Sequence, residues 1–321
     1  MEPWAKALIE LFWEHRDALL EVCARWPTLR YEHHQREGVV TDLADLMLAG
    51  VPGHPTVGAT EGAPVNVLDS DVVNAAWVAR SEAAEAPIGK LGVKAIETLE
   101  FTRRWVANGG NVPFPEAPES IDEHASVLAE AELSARLVAR ENRLVVTPLL
   151  QLPKGSALDL RLGNRFIVFR RTIVEAFDPL ASTSDPRAIQ MDIELAWTER
   201  FVLHPNEMVL GATLEYLVLP EDLSAQVVTR SSYGRLGLLS ATAVQVHPHF
   251  HGCLTLELVN LGTIPISLTP GERIAQLVVS KTGKVPDPGR DKYFCATGPE
   301  FSKVRDDPES EVLRSLRDGR D

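Results

Sequence analysis

Two short stretches of this chain carry residue types that could do chemistry. Arg230-Ser231-Ser232-Tyr233-Gly234-Arg235 sets two guanidiniums and two serine hydroxyls around a glycine. An arginine keeps its charge at any relevant pH and donates several hydrogen bonds, and a serine hydroxyl both donates and accepts. Such a turn can hold an anion or orient a water; it can equally be a polar turn between strands. Leu254-Thr255-Leu256-Glu257-Leu258 places one carboxylate in an otherwise apolar run. Burial between apolar neighbours raises a carboxylate's pKa and suits it to take a proton and return it. The alternative is a half-buried glutamate paired with an arginine for structural reasons.

Both stretches lie in residues 229–279, where apolar and polar residues alternate and each run stops at Gly, Pro or Asn. That is the pattern of short strands joined by tight turns. The first part of the chain reads differently. Trp4, Leu8, Leu11, Phe12, Leu19, Val22 and Trp26 recur at helical spacing, as expected of a helix over 1–26 that packs one face. Further helices are predicted at 41–48, 72–86 and 91–107, the last closed by Asn108-Gly109-Gly110. Residues 50–66 are rich in Gly and Pro and contain no G-x-x-x-x-G-K-[ST] phosphate loop. The prolines of 111–120 disfavour helix and sheet alike. The expected fold class is α+β. An all-α domain covers 1–118, a linker 119–126, a mostly antiparallel β domain 127–305, and a charged tail 306–321 that frays. A helix at 129–141 leads into the β domain.

The composition narrows the class. The chain has 321 residues, 45% of them hydrophobic and 24% charged, a globular profile. No apolar run approaches the roughly 20 residues that span a bilayer, so no membrane partner is expected. Met-Glu-Pro-Trp lacks the basic region and apolar segment of a secretory signal. Cys23, Cys253 and Cys295 are few, odd in number and far apart, which reads as reduced thiols and a cytoplasmic location. A net charge of −13 argues against binding polymeric nucleic acid, although a single nucleotide needs only a few local cations.

Several segments, in order, resemble the dCTP deaminase branch of the trimeric dUTPase superfamily. They are Leu144-Val145-Val146-Thr147-Pro148, Ser156 to Asn164 (SALDLRLGN), the RSSYGRLGL turn, the TLEL strand, Asn260-Leu261-Gly262, and Pro270-Gly271 followed by Arg273-Ile274-Ala275-Gln276-Leu277. Asp291-Lys292-Tyr293 and Gly298-Pro299 resemble the family's C-terminal segment. The resemblance implies a dUTPase-like distorted jelly-roll (β-clip) domain and a homotrimer in which each site is completed by a neighbour. The substrate it implies is dCTP or a related nucleotide, with Mg2+ accompanying the triphosphate. No partner for the helical domain follows from it; a protein is the expected class.

The resemblance also assigns roles. Glu257 matches the proton shuttle, and Ser231 and Arg235 match the residues that hold the attacking water. Arg230, Ser232, Gly234, Ala243, His247, Thr255, Leu256, Lys292 and Tyr293 match substrate-binding positions, the last two in a segment that closes over the phosphates. Zinc deaminases use H-x-E and P-C-x-x-C. Neither occurs here, so no zinc is expected and Glu257 would do the proton work. Neither His33-His34 nor His247, His249 and His251 show spacing that argues for a metal. The expected reaction is dCTP to dUTP plus ammonia. Two departures motivate rival readings. His247 replaces the aspartate that contacts the sugar in deaminases and activates water in dUTPases, and Ala296 replaces a glutamine. The rivals are a catalytically altered nucleotide-binding module with a regulatory role, and a dUTPase or bifunctional enzyme that releases pyrophosphate.

Overall fold

The computed structural model describes residues 126–139, 142–173, 176–181, 184–240, 245–287, 292–293, 296–307 and 309–317, with isolated positions between 94 and 124. The helices expected at 1–26, 41–48 and 72–86 lie outside the described residues, as do His33 and His34. Positions 94, 97, 101, 104 and 105 are helical, inside the helix expected at 91–107. It ends as its sequence requires. Gly109 adopts φ +84, and Gly110 N–H donates to the Trp105 carbonyl at 2.8 Å, satisfying a carbonyl that a helix end leaves open.

The β domain opens with helix α1 (Glu130–Val138), shorter than the expected 129–141. The Ala129 N–H donates to the Glu132 carboxylate at 3.2 Å, and Leu133 and Leu137 are buried on the inner face. Fourteen strands follow among the described residues, and every ladder between them is antiparallel. One sheet orders β10 (Gln245–Val246), β8 (Leu223–Thr229), β14 (Arg273–Lys281) and β2 (Leu158–Arg161). Another orders β4 (Gln190–Glu194), β3 (Arg165–Phe169), β6 (Met208–Ala212), β12 (Thr255–Asn260) and β9 (Leu238–Ser240). Smaller sheets join β1 (Val145–Thr147), β7 (Tyr216–Val218) and β11 (His251–Gly252), and β13 (Ile266–Leu268) with β5 (Phe201–Leu203). The inward residues of both large sheets share one core: Leu158, Leu160, Val227, Leu277 and Val279 meet Phe166, Val209, Leu256 and Leu258. In β12 buried and half-buried residues alternate strictly, as a strand with one face on the core demands. The expected mostly antiparallel β domain is present. No helix among the described residues is long and apolar enough to cross a membrane.

The charged tail departs from expectation. Glu309–Arg317 forms helix α3 instead of fraying. Arg317 pairs with Asp178 at 2.5 Å, and Arg314 donates to the Leu180 carbonyl at 3.2 Å. Partners far away in sequence hold a segment that looks solvated when read alone.

Two glycines are structurally dictated. Gly237 has φ +91, and a Cβ there would lie 2.7 Å from the Gly262 nitrogen. Gly271 also has φ +91, and its Cβ would strike the Phe101 ring at 2.6 Å. The second contact packs the helical segment directly on the β domain.

Glu215, before β7, is 2% exposed and accepts the Arg161 N–H at 2.8 Å. Burial pushes its pKa up from 4.5 to about 7, against the hydrogen bond and the Arg161 charge. The folded state therefore holds this proton more tightly than the unfolded chain does, and stability falls as pH rises from 4.5 through 7. Glu215→Gln removes that loss. Its stability relative to the parent should improve by about 2–3 kcal/mol between pH 5 and pH 8. Urea unfolding of both proteins at the two pH values checks this; a pH-independent difference would refute it.

Candidate active site

Strand β12 places the carboxylate. Leu256, Leu258 and Asn260 point into the core, while Thr255, Glu257 and Val259 point the other way. Glu257 lies between β6, where it faces Leu210, and β9, whose Ser240 pairs with the adjacent Leu258. Its half-buried side chain opens onto a cavity of about 1190 Å³. His247, Thr255, Tyr293 and Ala296 line the same cavity. The structure thus brings Glu257, Thr255, His247 and Tyr293 together. Leu256 is a correction: its side chain is fully buried in the core, so only its backbone can meet a ligand.

The other expected residues lie elsewhere. Ser231, Ser232, Gly234 and Arg235 form or follow the single-turn helix α2 (Ser231–Gly234), are exposed, and do not line the Glu257 cavity. Arg230 faces a second cavity, and its Nε lies 3.4 Å from Asp159. Lys292 is exposed and paired with Asp307 at 2.5 Å, outside the Glu257 cavity. Ala243 lies outside the described residues. Within one chain, the carboxylate and the Ser–Arg turn are therefore separate.

Comparison with known proteins bears on what this arrangement serves. A family model described as dCTP deaminase-like matches residues 127–282. A dCTP deaminase from Halorubrum lacusprofundi is 38% identical over 57% of this chain and 93% of its own length. The chain belongs to the dCTP deaminase family. A dCTP deaminase, dUMP-forming, from Methanothermobacter thermautotrophicus is 40% identical over 48% of this chain and 81% of its own. A solved structure of 2'-deoxycytidine 5'-triphosphate deaminase from Agrobacterium tumefaciens is similar over 49% of this chain and 48% of its own, at 24% identity and TM-score 0.38.

The turn before β12 carries His247, His249 and His251, and His249 adopts φ +64. Histidine tolerates the left-handed region better than most residues, and its Nε2 lies 2.7 Å from the Val285 carbonyl. His251 is mostly buried, and burial first, then the His249 charge, pushes its pKa down to about 4. It is neutral near pH 7. His247 is exposed and lines the cavity.

Sequence reasoning missed the groups that hold the dCTP deaminase segments in place. Asp159 accepts from Arg273 at 2.9 Å and from Gln276 at 3.0 Å, besides pairing with Arg230. One carboxylate thereby ties β2, β14 and the start of α2 together. Tyr233 O–H donates to Glu272 at 2.9 Å, and the same carboxylate accepts the Thr269 N–H at 3.1 Å. Burial, then this hydrogen bond, pushes the Tyr233 pKa up to about 12. The only signal in the sequence is that Asp159, Arg273 and Gln276 fall inside the family-like segments.

Proposed function

We propose that this chain hydrolytically deaminates dCTP, with Glu257 as the proton shuttle, and that it works as a homotrimer. What supports the reading is the separation just described. Glu257 opens onto a large cavity, while Ser231 and Arg235 stand exposed away from it in the same chain. A site that needs all three is incomplete in one copy and complete where a neighbour's α2 meets β12. Exposed Leu236, Leu239, Leu261 and Ile264, along β9 and past the end of β12, offer apolar surface for that contact. In this reading the β domain is a dUTPase-like distorted jelly-roll, or β-clip.

The chemistry follows from the groups. Glu257 takes a proton from water as the oxygen adds to C4 of cytosine, and passes a proton to N3. Arg235 and Ser231 hold the water and the developing charge. The adduct then loses the C4 amine: the hydroxyl on C4 gives up its proton, the amine gains one, the C–N bond breaks, and ammonia leaves a uracil ring. Magnesium would travel with the triphosphate. Phosphate oxygens and water would hold that ion.

We favour dUTP as the product, because His247 stands where dUTPases place their water-activating aspartate. Relatives named dUMP-forming favour a second reading, in which diphosphate is released as well. The test is a product assay with magnesium on dCTP and dUTP separately. Ammonia and dUTP from dCTP, with no diphosphate from either, is the expected result. Diphosphate and dUMP would select the second reading. Nucleotide binding without ammonia would overturn the enzyme and leave a binding module.

A further inference from the structure

Two segments outside the family-matched region meet on Arg165. The first is the helix that carries Lys94, Glu97, Phe101, Arg104 and Trp105. Spacings of three and four residues put these on one helix face. Lys94 is 3% exposed, and Glu97 and Phe101 are under 10% exposed. Lys94 lies close to the thiol of Cys253, just before β12, and Glu97 lies 3.5 Å from Arg165 Nε.

The second segment is 296–300, which forms part of the wall of the Glu257 cavity through Ala296 and Glu300. Its backbone is held at three points. The Ala296 carbonyl accepts the Cys253 N–H at 2.7 Å, and the Glu300 N–H donates to Thr255 Oγ1 at 3.2 Å. The Thr297 carbonyl accepts from Arg165 Nη2. Gly298 lies flat on the same guanidinium, since a Cβ there would be 3.0 Å from its Cζ. One planar fork therefore reaches the helix with one nitrogen and the cavity wall with another.

We infer that Glu97 and Arg165 are positioning residues for the wall 296–300, so that the helix ahead of the β domain sets access to the Glu257 cavity. The inference rests on the reading that this cavity takes the nucleotide. Arg165 is suited to the task because its nitrogens are fixed in one plane. When Glu97 anchors one edge, the other edge has a fixed place at which to hold the Thr297 carbonyl. Without Glu97 the half-buried guanidinium has lost this carboxylate neighbour, and turning toward water becomes favourable. A lysine at 165 would keep the charge facing Glu97, but a single ammonium on a flexible stem cannot fix both edges.

The experiment is peptide-resolved hydrogen exchange on the full chain, comparing the parent with Arg165→Lys and Glu97→Gln. In both variants, amides of 296–300 should exchange about tenfold faster or more, while β12 keeps its parental protection. In a dCTP assay, KM should rise several-fold with kcat within about twofold of the parent, as expected when binding alone is weakened. Parental protection of 296–300 in Arg165→Lys would overturn the inference, because the pair would then only fasten the helix. Loss of protection that spreads to β12 would overturn it as well, since the pair would then support the whole domain. The exchange result holds whether or not dCTP proves to be the substrate, so failure of the functional reading is seen separately.

Discussion

Glu257→Gln should lower kcat on dCTP by about 10²–10⁴, with nucleotide affinity little changed. Glutamine has nearly the same shape and still hydrogen-bonds, so β12 and the cavity stay as they are. What it cannot do is accept a proton from water and hand one to N3. Each turnover needs both transfers, and the other carboxylate among the described lining residues, Glu300, is paired with Lys303 at 3.1 Å. The strand position makes the variant safe to interpret, because the side chain leaves the core rather than filling it. Single-turnover ammonia release and an independent binding titration separate the two effects. Parental turnover in the variant would remove Glu257 from the mechanism.

The second large effect is a recovery of activity. Arg235→Ala should be almost as inactive as Glu257→Gln if water positioning depends on that guanidinium. Unfolded and refolded together in equal amounts, the two inactive proteins should regain about a quarter of parental activity, because a cyclic trimer mixes subunits at random. An interface between an Arg235→Ala chain and a Glu257→Gln chain, in the right order, contains an intact Glu257 and an intact Arg235. A site built within one chain predicts no recovery, because every chain carries one lesion. The separation of α2 from the Glu257 cavity is the reason to expect rescue. Failure to recover activity from a verified mixed trimer would place both groups in the same subunit's site.

The parts of the site that are legible in sequence are those set by short-range rules. Alternation in TLELVN puts Glu257 opposite the core-facing leucines, because strand side chains point to opposite faces in turn. The same rule, applied with care, also sends Leu256 inward, although the family resemblance marks it as a contact. Gly237 and Gly271 sit where positive φ and close backbone approach leave no room for a side chain. What is not legible depends on partners distant in sequence. Asp159 becomes a hub only when β2, β14 and α2 come together. Arg314 and Arg317 read as solvated charges until Leu180 and Asp178 are beside them. Period and spacing say nothing about which copy of the chain supplies each half of a site, so the distance between the RSSYGR turn and Glu257 had to come from the fold.

The contact of Arg165 with both Glu97 and Thr297 has a consequence for the order in which the molecule assembles. The two groups it joins come from opposite sides of the β domain in the chain. Closing so long a loop costs chain entropy that local pairings do not, so such contacts form late. The helix precedes β3 in the chain, and Glu97 can meet Arg165 only when β3 is in its sheet. The 296–300 segment follows Cys253 and Thr255 in the chain and is held by both. The wall of the cavity is therefore expected among the last parts of the domain to be fixed. A chain cut short before residue 296 would keep both large sheets and their core while lacking one side of the compartment in which Glu257 sits.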